Sequence, residues 1–247
     1  MMKKRLWSRW ILALAVVWPF MAAAHDRVRE KENFDFDWKF ILNADDQANA
    51  GMQVSETGWQ DVQLPHDWSI SQNFDPKLSG SNGHLPGGIG WYRKMFRVDK
   101  KDKGRRIAVL FDGIYSRSDV YVNGQHLGFR PYGFCYQEYD LTPYLNYGAE
   151  NVLAVRVNNP LEHDSVARWY TGAGIYRHAW LVKTAEVHVA SYGTYVTTPV
   201  VTAERAEVRV RTSVANEAER TKTLSVRQQI TDGEGRTVVQ SGKQALQ

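Results

Sequence analysis

Val120-Tyr121-Val122-Asn123-Gly124-Gln125-His126-Leu127-Gly128 reads as two short extended runs that meet at Asn123-Gly124. Asn-Gly supplies the positive φ angles that a two-residue turn between antiparallel strands demands, so this stretch predicts a β-hairpin. Working outward, Ile107, Val109 and Phe111 interleave with Ala108 and Leu110. A run apolar on both faces predicts a strand covered on both sides. Further strands are expected over Trp91–Val98 and Phe134–Leu141, and where Leu153, Val155 and Val157 alternate with Ala154, Arg156 and Asn158. Asp140–Leu145 reads as one capped helical turn, with Thr142 at the cap and Pro143 at the first helical position. No convincing helix longer than two turns is legible beyond the N-terminal stretch. Short strands at regular spacing predict an all-β sandwich.

The flanks extend the pattern. Phe34, Phe36, Trp38 and Phe40 fall on alternate positions of a first strand over Asn33–Asn43. Residues 44–58 are polar and loop-like. Val62 and Leu64 predict a short strand that Pro65 stops. His66 and Asp67 follow directly, and neighbours on an extended chain point to opposite faces, which argues against a catalytic dyad. Residues 69–90 carry Pro76, Pro86 and five glycines, the composition of a long loop of the kind that often carries function. Past Thr184 the aromatic density falls away. Val208, Val210, Thr212 and Val214 alternate with Glu207, Arg209, Arg211 and Ser213, the signature of sheets with one wet face. A second, smaller sandwich is therefore expected over 185–247, about 60 residues against about 100 for an immunoglobulin-like domain, and so without its last strands.

Lys3, Lys4 and Arg5, an apolar run from Trp10 to Ala23 and the triplet Ala22-Ala23-Ala24 form a secretory signal over 1–24. The first domain then occupies 25–184. Export to a bacterial periplasm or beyond is the expected address, since the lone Cys135 excludes an intramolecular disulfide. The signal removes Lys3, Lys4, Arg5 and Arg9 from 31 basic residues, leaving 27 against 27 acidic. Zero net charge argues against a nucleic-acid partner. Cys135 reads as a small core hydrophobe. His66, His84, His126, His163, His178 and His188 lack the clustering of metal ligands, so neither metal nor cofactor is expected.

The chemistry concentrates in Arg168-Trp169-Tyr170-Thr171-Gly172-Ala173-Gly174-Ile175-Tyr176-Arg177. Gly172 and Gly174 predict an irregular turn, and alternation from Ile175 predicts a strand after it. A guanidinium and flat rings held on such a bend are the parts of a sugar site. The same residues also suit a packed aromatic corner of a sandwich.

Taken in order, Trp59…Leu64-Pro65-His66-Asp67-Trp68, Gly90-Trp91-Tyr92-Arg93-Lys94…Phe96, Val120-Tyr121-Val122-Asn123-Gly124…Gly128, Gly133-Phe134…Asp140-Leu141-Thr142 and Arg168-Trp169-Tyr170…Gly174-Ile175-Tyr176-Arg177 resemble the N-terminal part of a family 2 glycoside hydrolase, nearest its β-galactosidases. The resemblance spans roughly 33–247. It implies a jelly-roll sugar-binding domain followed by an incomplete immunoglobulin-like domain. It also implies a partner, the (β/α)₈ catalytic barrel, that this chain lacks. The retaining mechanism of that family uses two carboxyls about 5–5.5 Å apart, both on the barrel, so no catalytic residue is assigned here. Asn216-Glu217 mimics the Asn-Glu of the family's acid/base but reads as a turn between wet-faced strands. By resemblance Arg168, and more weakly Asp164, reach a β-galactoside-like sugar in the neighbouring barrel, while Arg177 is an internal hydrogen-bond or ion-pair partner. A stand-alone carbohydrate-binding module, or a structural pair docking another chain's barrel, are the competing readings.

Overall fold

The computed structural model describes residues 29–42, 44, 46–160 and 169–246. In chain order its first strands are β1 (Glu30–Asn33), β2 (Trp38–Leu42), β3 (Gln60–Val62), β4 (Gly88–Arg97), β5 (Arg106–Phe111), β6 (Ser118–Val122), β7 (Gln125–Arg130), β8 (Gln137–Asp140), β9 (Glu150–Asn159) and β10 (Ala179–Thr184). They form two antiparallel sheets, ordered β1-β10-β5-β8 and β3-β2-β4-β9-β6-β7. Between them lies one core. Trp38, Phe40, Tyr92, Val120 and Val155 come from the larger sheet, and Ile107, Val109, Phe111, Tyr139 and Leu181 from the smaller. Burying each large apolar side chain contributes about 1.5–3 kcal/mol, so this core is what holds the two sheets face to face. β5 is buried along almost its whole length, with Ile107, Val109 and Phe111 in the core. β6 and β7 form the expected hairpin, with φ of 51° at Asn123 and 84° at Gly124.

The outer face of the larger sheet is covered too. Trp91, Ala154 and Ala50 form a small buried cluster there. Arg93, which is buried, donates from Nη1 to the carbonyls of Asn49 at 2.5 Å and Gly51 at 2.7 Å. Its Nε donates to Glu56 at 3.3 Å. The polar 44–58 segment is therefore strapped onto the sheet by a charged strand residue.

Several local expectations are corrected. The aromatic run from Asn33 is broken into β1 and β2 by a bend at Asp37, whose φ is 56°, and this turns Phe36 outward while Phe34 and Trp38 stay buried. β8 starts at Gln137, because residues 131–136 form an irregular loop. The helical turn spans Thr142–Tyr144 with Leu141, not Thr142, at the N-cap, and Asp140 Oδ1 accepts from the Thr142 N–H at 3.0 Å and the Thr142 hydroxyl at 2.6 Å. The last strand of the sandwich begins at Ala179, not Ile175.

Beyond Thr184 come β11 (Val187–Val201), β12 (Ala206–Asn216), β13 (Leu224–Val226), β14 (Gln229–Thr231), β15 (Thr237–Gln240) and β16 (Gln244–Leu246). They pair as β11-β12, β13-β16 and β14-β15. Among the described residues, no side chain after Thr184 is buried. The alternation is real, but its apolar face stays open. The first strand pair is moored to the sandwich by Tyr192, whose ring lies 4.5 Å from that of Tyr136, and by Glu217, 2.9 Å from Arg106 Nε.

Candidate functional site

The glycine bend is built by pairing with the His66-Asp67-Trp68 segment. The N–H of His66 donates to Ile175 O at 2.9 Å, and that of Trp68 to Ala173 O at 3.2 Å. Asp67 then clamps both chains. Its Oδ1 accepts from the backbone of Ser69 at 2.9 Å and of Ala173 at 3.0 Å, and its Oδ2 accepts from the Tyr170 hydroxyl at 2.6 Å. Both glycines are demanded by this packing. Gly172 has φ of 72°, and a Cβ there would sit 2.6 Å from Asp67 Oδ2. Gly174 has φ of 120°, and a Cβ would sit 2.3 Å from the Tyr92 hydroxyl. Asn159 Nδ2 donates to Gly172 O at 3.1 Å, and the Thr171 hydroxyl donates to Asn82 Oδ1 at 3.1 Å, tying the bend to β9 and to the 69–87 loop.

His66 and Asp67 point apart, as expected of neighbours on an extended chain. His66 Nδ1 lies 2.8 Å from the Tyr92 hydroxyl. Burial holds the imidazole below its ordinary range, and the Asp67 charge opposes this only in part. Burial also pushes the Tyr92 hydroxyl well up, and at Tyr170 burial and the Asp67 hydrogen bond act together in the same direction. The two tyrosines are therefore neutral donors, and the cluster is a rigid polar clamp rather than a proton-transfer relay.

What the clamp presents is aromatic. Trp169 is 62% exposed, and Tyr170 stays partly open. Ile70 and Phe74 stand exposed on the adjoining loop. On the other side Gly174 exchanges backbone hydrogen bonds with Tyr115 at 2.8 and 2.9 Å, and the Tyr115 ring lies 5.1 Å from that of Phe134. Tyr132 packs on Phe134, and the neighbouring Tyr136 packs on Tyr192 of β11. Exposed rings thus lie on both sides of the bend.

Arg168 and Asp164 lie outside the described residues, as do His163 and the signal over 1–24. Arg177 is exposed on a bend, outside any strand, and so is not an internal partner. Glu217 follows β12 in a turn, where its N–H donates to Glu186 O at 3.1 Å. Cys135 is half-exposed in the 131–136 loop, its Sγ 3.6 Å from Tyr132 O, rather than in the core. The described histidines have separate partners: Tyr92 for His66, Leu78 O for His84, Asp119 for His126, Asp35 for His178 and Ala185 O for His188. Among the described residues no group of His, Cys, Asp and Glu is arranged to hold a metal ion, and no helix is long and apolar enough to cross a membrane. Tyr92, Asn82 and Asn159 were not legible as members of the site. Asn159 lies 13 residues from its partner Gly172 and Asn82 lies 89 from Thr171, and only the tertiary fold brings them to the bend.

Aromatic rings presented beside a glycine-braced bend at one end of an all-β sandwich are suited to stacking on the apolar faces of sugars. The chain belongs to glycoside hydrolase family 2: the family's sugar binding domain matches residues 32–185. It is 45% identical over 216 residues to beta-galactosidase BoGH2A of Bacteroides ovatus, covering 86% of this chain and 25% of that protein. A beta-glucuronidase of Formosa agariphila is 34% identical over 242 residues, covering 87% and 24%. A solved glycosyl hydrolase family 2 member from Bacteroides cellulosilyticus superposes with a TM-score of 0.78 at 38% identity, covering 87% of this chain and 28% of that one. The chain thus spans about a quarter of the curated relatives it matches. Its described helices are single 3₁₀ turns, so the described residues contain no (β/α)₈ barrel.

Proposed function

We propose that this chain is the exported, sugar-binding N-terminal portion of a retaining β-galactosidase-type hydrolase, forming one wall of a sugar pocket completed by a catalytic barrel. The observation that carries this reading is the bend at 169–174, clamped by Asp67 and flanked by exposed rings. Arg168 directly precedes Trp169 in the sequence, and a guanidinium is a planar donor suited to sugar hydroxyls. Asp164 is a lesser candidate in the same segment. The exposed rings beside the bend mark the face on which the barrel docks. Domain limits of 25–184, a jelly roll, and 185–247, an incomplete immunoglobulin-like sandwich, are supported by the end of β10 at Thr184 and by the loss of buried residues after it. The signal over 1–24 rests on its basic start and Ala22-Ala23-Ala24. The galactoside preference is supported by the higher identity to a β-galactosidase than to a β-glucuronidase.

Purified residues 25–247 are expected to leave chromogenic β-galactosides and β-glucuronides intact. Fused to the barrel of a β-galactosidase relative, they should restore β-galactoside turnover. In that chimaera Arg168→Ala should lower kcat/KM about tenfold, or 1.4 kcal/mol, at unchanged Tm. Unaltered kinetics in the variant would remove Arg168 from the pocket, and a chimaera selective for glucuronides would reverse the substrate assignment.

A further inference from the structure

The edge strand β7 carries a bulge. Val120 of β6 pairs with Gly128, but the next residue, Tyr121, pairs with His126, so Leu127 is the extra residue. Leu127 packs against the core, and Gly128 lies on the same inner side, where a Cβ would meet the Tyr139 ring at 3.2 Å. The bulge re-aims the other side of the strand. His126 and Phe129 are three residues apart, and an unbroken strand would point them to opposite faces. With Leu127 bulged, both stand on the outer face of the larger sheet, His126 opposite Tyr121 and Phe129 opposite Asp119.

The register of β6 with β9 adds Ala154 beside Tyr121 and Arg156 beside Asp119. Side chains paired across neighbouring strands stand about 4.5–5.5 Å apart, so these residues form one patch of two rows. The first row is ringed. Tyr121 lies with its ring 5.8 Å from that of buried Trp91 and 4.8 Å from that of His126, and its hydroxyl donates to Gln47 Oε1 at 3.2 Å. The second row is polar at its centre. Asp119 Oδ1 lies 2.9 Å from His126 Nε2, and its Oδ2 lies 3.7 Å from Arg156 Nη1. The carboxylate is thus oriented from both sides, while His126 Nδ1 has no partner among the described residues. The rim is open: Phe129 is 49% exposed and the His126 side chain 47%.

We propose that this outer-face patch is a second saccharide site, which takes a short neutral oligosaccharide by stacking on Phe129 and by hydroxyl hydrogen bonds to Asp119 and His126. An exposed ring matches the apolar face of a pyranose, and a fixed carboxylate directly opposite that ring accepts from the hydroxyls at the sugar's edge. A neutral ligand is favoured because the Asp119 carboxylate is matched by the Arg156 guanidinium within the patch. The site shares no residue with the bend at 169–174, does not rest on the contact assigned to Arg168 and needs no barrel.

The test is isothermal titration of the purified chain with β-1,4-linked glucan, mannan and galactan hexasaccharides and with a uronic-acid oligomer. At least one neutral hexasaccharide should bind, and bind more tightly than the uronic-acid oligomer. Phe129→Ala and His126→Ala should each weaken that binding about tenfold, while Phe129→Tyr, which keeps a ring at the rim, retains it. Both positions are exposed, and circular dichroism checks that each variant stays folded. Absence of binding to every neutral probe overturns the proposal. So does a preference for the uronic-acid oligomer, and so does binding that is lost in Trp169→Ala but kept in Phe129→Ala, which assigns the ligand to the bend. None of these outcomes bears on the chimaera's kinetics, so the two readings fail separately.

Discussion

At Gly174 a side chain has neither an allowed conformation nor a place, since φ is 120° and the Tyr92 hydroxyl and His66 carbonyl occupy the Cβ position. Gly174→Ala should therefore cost about 3 kcal/mol in urea unfolding, through overpacking and a strained backbone together. Gly233→Ala, in open space, should change stability by less than about 0.5 kcal/mol. Equal effects at the two positions would show that the bend yields more readily than its packing implies. His66 offers a different test. Its folded pKa lies below the ordinary 6.5, so below that value the unfolded chain binds more protons than the native one. Its contribution is complete above pH 6.5 and is lost as the pH falls through the folded value. Wild type should accordingly lose stability relative to His66→Gln on acidification from pH 7 to 5, measured as the difference between their unfolding free energies (about 7 and 5 bracket the ordinary histidine range). A constant difference across that range would mean that His66 is not held neutral.

Among the elements, the 44–58 segment depends on one residue of β4. Arg93 satisfies two carbonyls of that segment and pairs with Glu56 from a buried position. Arg93→Met keeps most of the apolar stem but removes all of these donors. It should cost about 3 kcal/mol and open 44–58 to limited proteolysis ahead of any sandwich strand. Cleavage in the 69–87 loop first would mean that Trp91 and Ala50 hold the strap without the guanidinium. The composition of 44–58 marked it as a loop. That the loop covers a sheet could not be read from it, because the partner is a charged residue in a strand pattern that gives no sign of an inward guanidinium.

For the molecule as a whole, burial is unevenly spread. Val109, Tyr92 and Val155 sit in a closed core, whereas no described residue beyond Thr184 is buried. Hydrogen exchange should show the slowest amides in β4, β5 and β9 and fast exchange from β11 onward, since protection follows buried contact density. Uniform protection on both sides of Thr184 would contradict this division. The Tyr136–Tyr192 ring contact and the Arg106–Glu217 pair predict that the base of β11 and the end of β12 are the slowest part of the second region.

What the sequence determined by itself was local and periodic: the Asn123-Gly124 hairpin, the doubly apolar β5, the alternation of β9 and β12, and the need for glycine at the bend. Each is written in neighbouring residues, because turn chemistry and pleat periodicity act over a few positions. The ordered motifs also carried the family. Only the tertiary structure decided where those pieces meet. Asp67 finds Tyr170 and Ala173 more than 100 residues along the chain, and His66 finds Tyr92 across the sheet. It also turned Phe36 and Arg177 outward, against readings based on alternation, and left Cys135 half-exposed in a loop, against a reading based on residue type. Alternation tells which residues share a face only while a strand runs straight; bends such as Asp37, and loops such as 131–136, reset the phase, and only contact between distant segments decides where they fall.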